Sequence, residues 1–290
     1  MCAKFPHFFL KYHYLVNINN KDLFYLKNIK VSRLYTYFCA MSKQFSVLIV
    51  GNGQVGSFLK NAFEQSGVAV QAYARNPSPG WLNLQDVSKA APTLLSLICV
   101  NDDAIALVSD LLPNLDTCMA HVSGALPLSE LSTKHQRRAV FYPIMSFNKQ
   151  PPIDASAIPF CIETEKEEDY LLLEEAAQIL GASSQRLNSA QRASLHLAAV
   201  LSHNFGNHLI HLAQAELSKL NLDFKLLQPL MRQMLKNIEI SPAKNWQTGP
   251  ALRHDKKTID KHLLLMDEPL TKAIYEMITQ SIQKEHDEKL

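Results

Sequence analysis

The stretch Phe45-Ser46-Val47-Leu48-Ile49-Val50-Gly51-Asn52-Gly53-Gln54-Val55-Gly56 decides how this chain folds. A short apolar run ends in glycines spaced G-x-G-x-x-G, and a helical pattern from Gln54 to Gln65 follows directly. Each glycine answers a separate demand. Gly51 lets the chain turn tightly out of a strand, Gly53 lets backbone approach a pyrophosphate, and Gly56 lets the following helix pack against the sheet. The N-terminus of that helix offers free N–H groups and a positive dipole end to phosphates. Strand, turn and helix in this order predict a dinucleotide site, with Gly51, Gly53, Gln54, Val55 and Gly56 on the cofactor.

Downstream of the turn, short apolar runs alternate with helical patterns as far as Phe147, the signature of a parallel sheet with crossover helices. Strands are expected at Val68–Tyr73, Leu94–Val100, Cys118–Val122 and Ala139–Tyr142, with Asn101-Asp102-Asp103 capping a helix that runs to Leu112. Lys149-Gln150-Pro151-Pro152 reads as a junction, and Ile158–Glu163 as a strand able to join the sheet edge. Beyond it helical periodicity dominates. Glu165–Leu180 is amphipathic and stops at Gly181, and a long helix from Ser189 to about Leu220 is apolar nearly all round. A helix apolar on every side is buried, which in a small domain points to a second subunit, so a homodimer centred on this helix is expected. Shorter helices follow at Phe224–Asn237, Thr258–Leu265 and Pro269–Lys284. The expected plan is α/β: a dinucleotide-binding domain over residues 41–150, then a helical substrate and dimerisation domain over 151–290.

The chain has 290 residues, 29 basic and 27 acidic, with charges of both signs spread along it, so nothing in it asks for nucleic acid. Five widely spaced cysteines without a C-x-x-C pair argue against a disulfide framework and a zinc site, and fit a reducing, cytoplasmic setting. Residues 1–40 differ from the rest: they hold 10 of the 24 aromatic residues and a single acidic one, Asp22, with no sustained period. Lys4, Lys11, Asn17 and Lys21 break every apolar stretch there, which excludes a membrane span and fits a secretory signal poorly. Met41-Ser42-Lys43-Gln44, followed at once by a strand, is expected to be the natural start.

In folds of this kind a carboxylate at the end of the second strand binds the adenosine ribose 2′-hydroxyl, whereas an arginine there accommodates a 2′-phosphate. The chain reads Tyr73-Ala74-Arg75-Asn76, without a carboxylate, so NADPH is expected over NADH. Polar clusters fall at the carboxyl ends of the later strands, where ligands of open parallel sheets bind: Asn101-Asp102-Asp103, His121-Val122-Ser123-Gly124 and Tyr142-Pro143. Asn101 is placed with the cofactor residues. Hydride transfer to a carbonyl or imine needs orientation, a proton donor and stabilisation of developing charge. His121 is expected to supply the proton and Ser123 to hydrogen-bond the reacting oxygen; the alternative is that Asp102 or Asp103 is only a helix cap and Ser123-Gly124 only a turn. The long helix carries His196, His203, Asn204, Asn207, His208 and His211, with His196, His203 and Asn207 near one line and Asn204, His208 and His211 near another. Core histidines are expected rather than metal ligands. In Thr248–Asp255, Arg253 is expected to hold a substrate anion, the alternative being a turn and a cap before Lys256.

The glycine turn, His121–Ala125, Tyr142–Phe147, His196 with Asn204, and Thr248-Gly249-Pro250 with Arg253 and Asp255 together resemble a family with a Rossmann-like N-terminal domain and a helical C-terminal domain of unknown function. Its wider group includes pyrroline-5-carboxylate reductases, deazaflavin-dependent NADP reductases, and 6-phosphogluconate and hydroxyacid dehydrogenases. The resemblance covers about Met41 to Lys284. It implies a nicotinamide-dependent oxidoreductase, often dimeric, whose helical domain resembles that of 6-phosphogluconate dehydrogenase. Hydroxyacid dehydrogenases of the group place a lysine, with an asparagine four residues later, on the corresponding helix; no lysine occurs here between Gln191 and Glu216. Asn204 is the nearest candidate for that asparagine; for an enzyme, His196, His203 or His121 must replace the lysine, or the substrate must need no strong proton donor. The expected function is an NADP(H)-dependent oxidoreductase of a small carbonyl or imine compound, and the alternative a non-catalytic NADP(H) sensor or interaction protein. A methyltransferase is disfavoured by the third glycine and Arg75.

Overall fold

The computed structural model describes residues 45–147 and 154–287. The expected leader, the start at Met41 and the junction at Lys149–Pro152 lie outside these residues. Residues through Leu197 form one compact unit and residues from Ala198 onward another.

The first unit is built on an eight-stranded sheet in the order β3-β2-β1-β4-β5-β6-β7-β8. Its elements run β1 (Ser46–Val50), α1 (Gln54–Gln65), β2 (Ala69–Ala74), β3 (Leu82–Asn83), β4 (Leu95–Ile98), α2 (Asp102–Leu111), β5 (Cys118–His121), β6 (Arg138–Pro143), β7 (Phe160–Thr164), α3 (Glu167–Ile179), β8 (Ser184–Arg186) and α4 (Ser189–Ala199). Strands β1 to β6 are mutually parallel; β7 pairs antiparallel with β6, and β8 continues parallel to β7. The chain leaves β1 for β2 on one side and returns to β4 on the other, so the strand order reverses between β1 and β4. That reversal opens a crevice at the carboxyl edge, as in doubly wound Rossmann-like sheets.

β1 shows why its sequence is apolar without alternation. Val47 and Ile49 enter the core with Leu59 and Phe63 of α1 and Leu173 of α3, whereas Leu48 and Val50 enter a second core with Ile105 of α2 and Met119 of β5. A strand covered on both faces carries apolar residues at every position. The first unit passes beyond the proline-rich stretch because β7 pairs with β6 from Ala139–Thr164 to Pro143–Phe160, and α3 packs back on that face. Phe141 stacks on Phe160 at 4.3 Å between ring centroids across this pairing. β7 is therefore internal, and the edge belongs to Ser184-Gln185-Arg186, a polar strand with no alternation to betray it.

The second unit contains a π-helical segment (Val200–Phe205), α5 (Gly206–Ser218), α6 (Gln228–Ile240), α7 (Lys256–Leu265) and α8 (Pro269–Asp287). No residue of α5, α6 or α7 is buried in the single chain. Leu201, Phe205, Leu230, Met234, Leu235 and Leu264 are all more than half exposed. The long helix thus leaves Leu197, Leu201, Phe205, Leu209 and Leu220 exposed in the single chain, apolar surface that its sequence would bury. The π-helical segment also changes the spacing argument. One line through His196, His203 and Asn207 assumes 3.6 residues per turn throughout, and the wider turn at Val200–Phe205 shifts the phase of everything after it.

Candidate functional site

Gly51 leaves β1 at φ +109°, a backbone region closed to ordinary side chains. A Cβ built there meets the carbonyl oxygen of Cys99 at 2.3 Å, so this turn lies directly against the chain leaving β4. The Gly51 N–H donates to Tyr73 O at 2.8 Å, and the Cys99 N–H to Val50 O at 2.7 Å, which locks the turn into the crevice between β1, β2 and β4. At Gly56 a Cβ falls 1.9 Å from Gly51 O, so only glycine brings α1 this close to the strand. Gly53 differs, since its nearest neighbour stands 4.0 Å from an added Cβ. Its openness serves something outside the protein's own packing.

α1 starts without a side-chain cap and without an acidic residue in its first turn. Gly53 and Gln54 are exposed there. Free N–H groups, a positive dipole end and no competing carboxylate make an anion site of this terminus. Asn52 Nδ2 donates to Asn76 O at 2.9 Å, tying the glycine turn to the loop after β2 where Arg75 is exposed. Arg75 also borders a cavity of about 420 Å³ with Asn83, Gln85 and Ser88. Asn101 occupies the N-cap of α2 but makes no side-chain cap hydrogen bond, leaving its amide exposed at the same edge. The backbone and charge present fit a dinucleotide.

His121 takes a different part from the one expected of it. Its side chain is fully buried, Nδ1 accepts the Ser123 N–H at 3.1 Å, and Nε2 faces Pro127 O at 3.3 Å. With a carbonyl as partner, Nε2 carries the proton. Burial, followed by the nearby Arg192 cation, pushes the imidazole down to about 4. Neutral near pH 7 and bonded through both nitrogens, His121 has no atom to offer a substrate. Ser123 is similarly committed: its hydroxyl donates to Asp102 Oδ2 at 3.0 Å and accepts the N–H groups of Ala125 and Leu126 at 3.2 and 3.1 Å. These bonds shape the turn after β5 and bind it to the first turn of α2.

What this turn presents is a neighbouring pair. Tyr142, at the carboxyl end of β6, lies with its hydroxyl 3.2 Å from His196 Nδ1 on α4. The rings meet edge to face at 6.0 Å between centroids. Both are partly exposed. Sequence reading placed Tyr142 at the right edge and His196 on the right helix without joining them, because they are 54 residues apart.

α4 is anchored from below. The Arg192 guanidinium, 1% exposed, pairs with Glu163 of β7 and donates to Leu126 O, while Ser189 Oγ donates to Glu163 Oε1 at 2.9 Å. Arg192 and His196 lie four residues apart, hence on one face of α4.

In the second unit, Asn204 lies exposed in the π-helical segment. His208 and His211 approach to 6.1 Å between ring centroids. Among the described residues no group of three His, Cys, Asp or Glu side chains is gathered as a metal site. Asp255 caps α7 by accepting from Thr258 N–H at 3.1 Å and Thr258 Oγ1 at 2.7 Å, bonds that hold its carboxyl below the ordinary range. Arg253 beside it is exposed.

A phosphate-binding glycine turn at the switch point of a doubly wound sheet defines the class: a nucleotide-binding α/β protein with an appended helical unit. A domain of unknown function, DUF2520, matches residues 158–282. A candidate NADP oxidoreductase from Bacteroides fragilis is 30% identical, with 83% of this chain and 98% of that one covered, at a TM-score of 0.74. A Thermotoga maritima protein is 20% identical over 84% and 99% of the two chains at a TM-score of 0.61. A reductive aminase from Aspergillus terreus, solved with NADPH4, cyclohexanone and allyl amine, is 17% identical over 83% and 95% at 0.62; these last two share the fold. No match was found among curated proteins. The chain belongs to the Rossmann-like oxidoreductase family whose C-terminal part is the DUF2520 domain. No helix among its described residues is long and apolar enough to cross a membrane.

Proposed function

We propose that this protein is a cytoplasmic NADP(H)-dependent oxidoreductase that transfers a hydride to or from a small carbonyl or imine compound. The observation that carries the reading is the glycine turn: Gly51 and Gly56 are demanded by the protein's own packing, whereas Gly53 stands open over an uncapped helix terminus. In this reading the N–H groups at Gly53, Gln54, Val55 and Gly56 bind the pyrophosphate, Arg75 the 2′-phosphate, and Asn101 the dinucleotide's nicotinamide half. Bound NADPH supplies the hydride. His196 serves the substrate side. Free, buried Cys99, Cys118 and Cys161 support a reducing compartment.

The protein acts as a homodimer. Exposed leucines, isoleucines and methionines along α5, α6, α7 and α8 support this, because monomeric soluble proteins rarely leave such continuous apolar surface in water.

Arg75→Ala tests the nucleotide assignment. NADPH affinity should fall about tenfold, the loss of one charge-assisted contact, while NADH affinity stays constant. Unchanged affinity for NADPH, measured by fluorescence titration, would remove Arg75 from the site. Oxidation of NADPH against a panel of aldehydes, keto acids and cyclic imines then tests turnover. Tight binding with silence across the panel favours the sensor reading.

A further inference from the structure

We propose that Tyr142 is the proton donor of this site and that His196 resupplies its proton, an inference that rests on the NADP(H)-dependent reading above. The geometry begins with Gly124. A Cβ there would lie 2.5 Å from Tyr142 Cζ and 2.8 Å from His196 Nδ1, so both rings rest directly on bare backbone. That backbone belongs to the turn after β5, which His121 and Ser123 shape with every polar atom they have. Tyr142 ends β6 at the same carboxyl edge as the Gly51 turn. Ligands of open parallel sheets collect along that edge. Within this part of the first unit, His121 and Ser123 are closed to a substrate, whereas Tyr142 and His196 are partly exposed.

The pair also has the right support. Arg192 is clamped by Glu163 and Leu126 O one helical turn before His196, which fixes the imidazole beside the phenol. Glu163 and Arg192 are positioning residues, since neither meets the exposed side of the pair. Cys161, the register partner of Tyr142 on β7, completes its surroundings. Burial, then Cys161, holds the phenol above its ordinary range, so it stays protonated at neutral pH.

The step balances as follows. The electrophilic carbon of a C=O or C=N group gains a hydride, whose source is NADPH, which is oxidised to NADP⁺. The π electron pair moves to the heteroatom, which takes the proton of the Tyr142 hydroxyl, and the O–H bond of the phenol breaks. The phenolate then takes a proton from His196 Nδ1, and solvent returns a proton to the ring. The product is the alcohol or amine.

The test uses the full chain with Tyr142→Phe and Gly124→Ala. In the absence of nucleotide, the NMR resonances of the His196 ring read the pairing directly. Tyr142→Phe should shift the His196 ring resonances, because the Nδ1 hydrogen bond is lost. Tyr142→Phe should also lower kcat about 100-fold on a probe that wild type reduces, 2-methyl-1-pyrroline or cyclohexanone, with NADPH affinity and melting temperature unchanged. Gly124→Ala, which pushes the rings apart, should reproduce the kcat loss. His196 ring resonances that ignore Tyr142→Phe, or a variant retaining more than about a third of wild-type kcat, would overturn the proposal. So would a wild type that binds NADPH and reduces neither probe, which leaves the nucleotide reading standing. Failure of wild type to bind NADPH would sink both.

Discussion

Replacing Gly51 with alanine is expected to destabilise the protein by about 2 kcal/mol or more, through backbone strain and overpacking together. The strain arises because φ +109° is foreign to a residue with a Cβ. The overpacking arises because that Cβ would fall 2.3 Å from the Cys99 carbonyl oxygen, a main-chain atom of β4's exit that has no rotamer to escape into. Gly53→Ala is the control. With nothing nearer than 4.0 Å, its Cβ meets open space, and stability should change by less than about 0.5 kcal/mol. Yet it should weaken NADPH binding about tenfold, because the added methyl occupies the line along which backbone meets pyrophosphate. Thermal melts and fluorescence titration of the two variants read the two effects separately. If Gly53→Ala binds NADPH like wild type, phosphate does not approach there.

Removing Glu163 is expected to be the most damaging substitution away from the glycine turn. Glu163→Ala leaves the Arg192 guanidinium, 1% exposed, without its counter-charge, and breaking a buried pair from one side costs about 3–5 kcal/mol. Arg192 Nε has no hydrogen-bond partner among the described residues even with Glu163 present, so nothing nearby takes up the lost contact. The paired replacement Glu163→Leu with Arg192→Met removes both charges and should recover most of the loss. Chemical denaturation of wild type and the two variants measures this directly; equal stability of wild type and Glu163→Ala would show that the pair does not support the fold. Because Arg192 precedes His196 by one turn, the doubly apolar protein should fold well and still turn over slowly.

The sheet was legible because its central strands are covered on both faces: Val47–Val50 is apolar at every position, and Leu95–Ile98 is broken only by the buried Ser96. Its margins were not. Leu82–Asn83 is two exposed residues, and Ser184–Arg186 is polar throughout, so neither carries a period. The glycine turn could be read residue by residue, since each requirement is local. The role of His121 could not, because the partners that silence it, Pro127 O and the Ser123 N–H, are backbone groups that no side-chain pattern announces. Nor could the pairing of Tyr142 with His196, which depends on β6, the Gly124 turn and α4 meeting in space. The π-helical segment was invisible to helical spacing, as Val200–Phe205 has the composition of ordinary helix.

The central claim is that the glycine turn and Arg75 hold NADP(H). It is tested most directly by melting the full-length protein with saturating NADPH and, separately, NADH. A ligand that binds only the native state stabilises it by about 2.7 kcal/mol at a hundred times its dissociation constant. The account predicts a clear rise in melting temperature with NADPH and a smaller one with NADH at equal concentration. No rise with NADPH, or an equal rise with both, would contradict it.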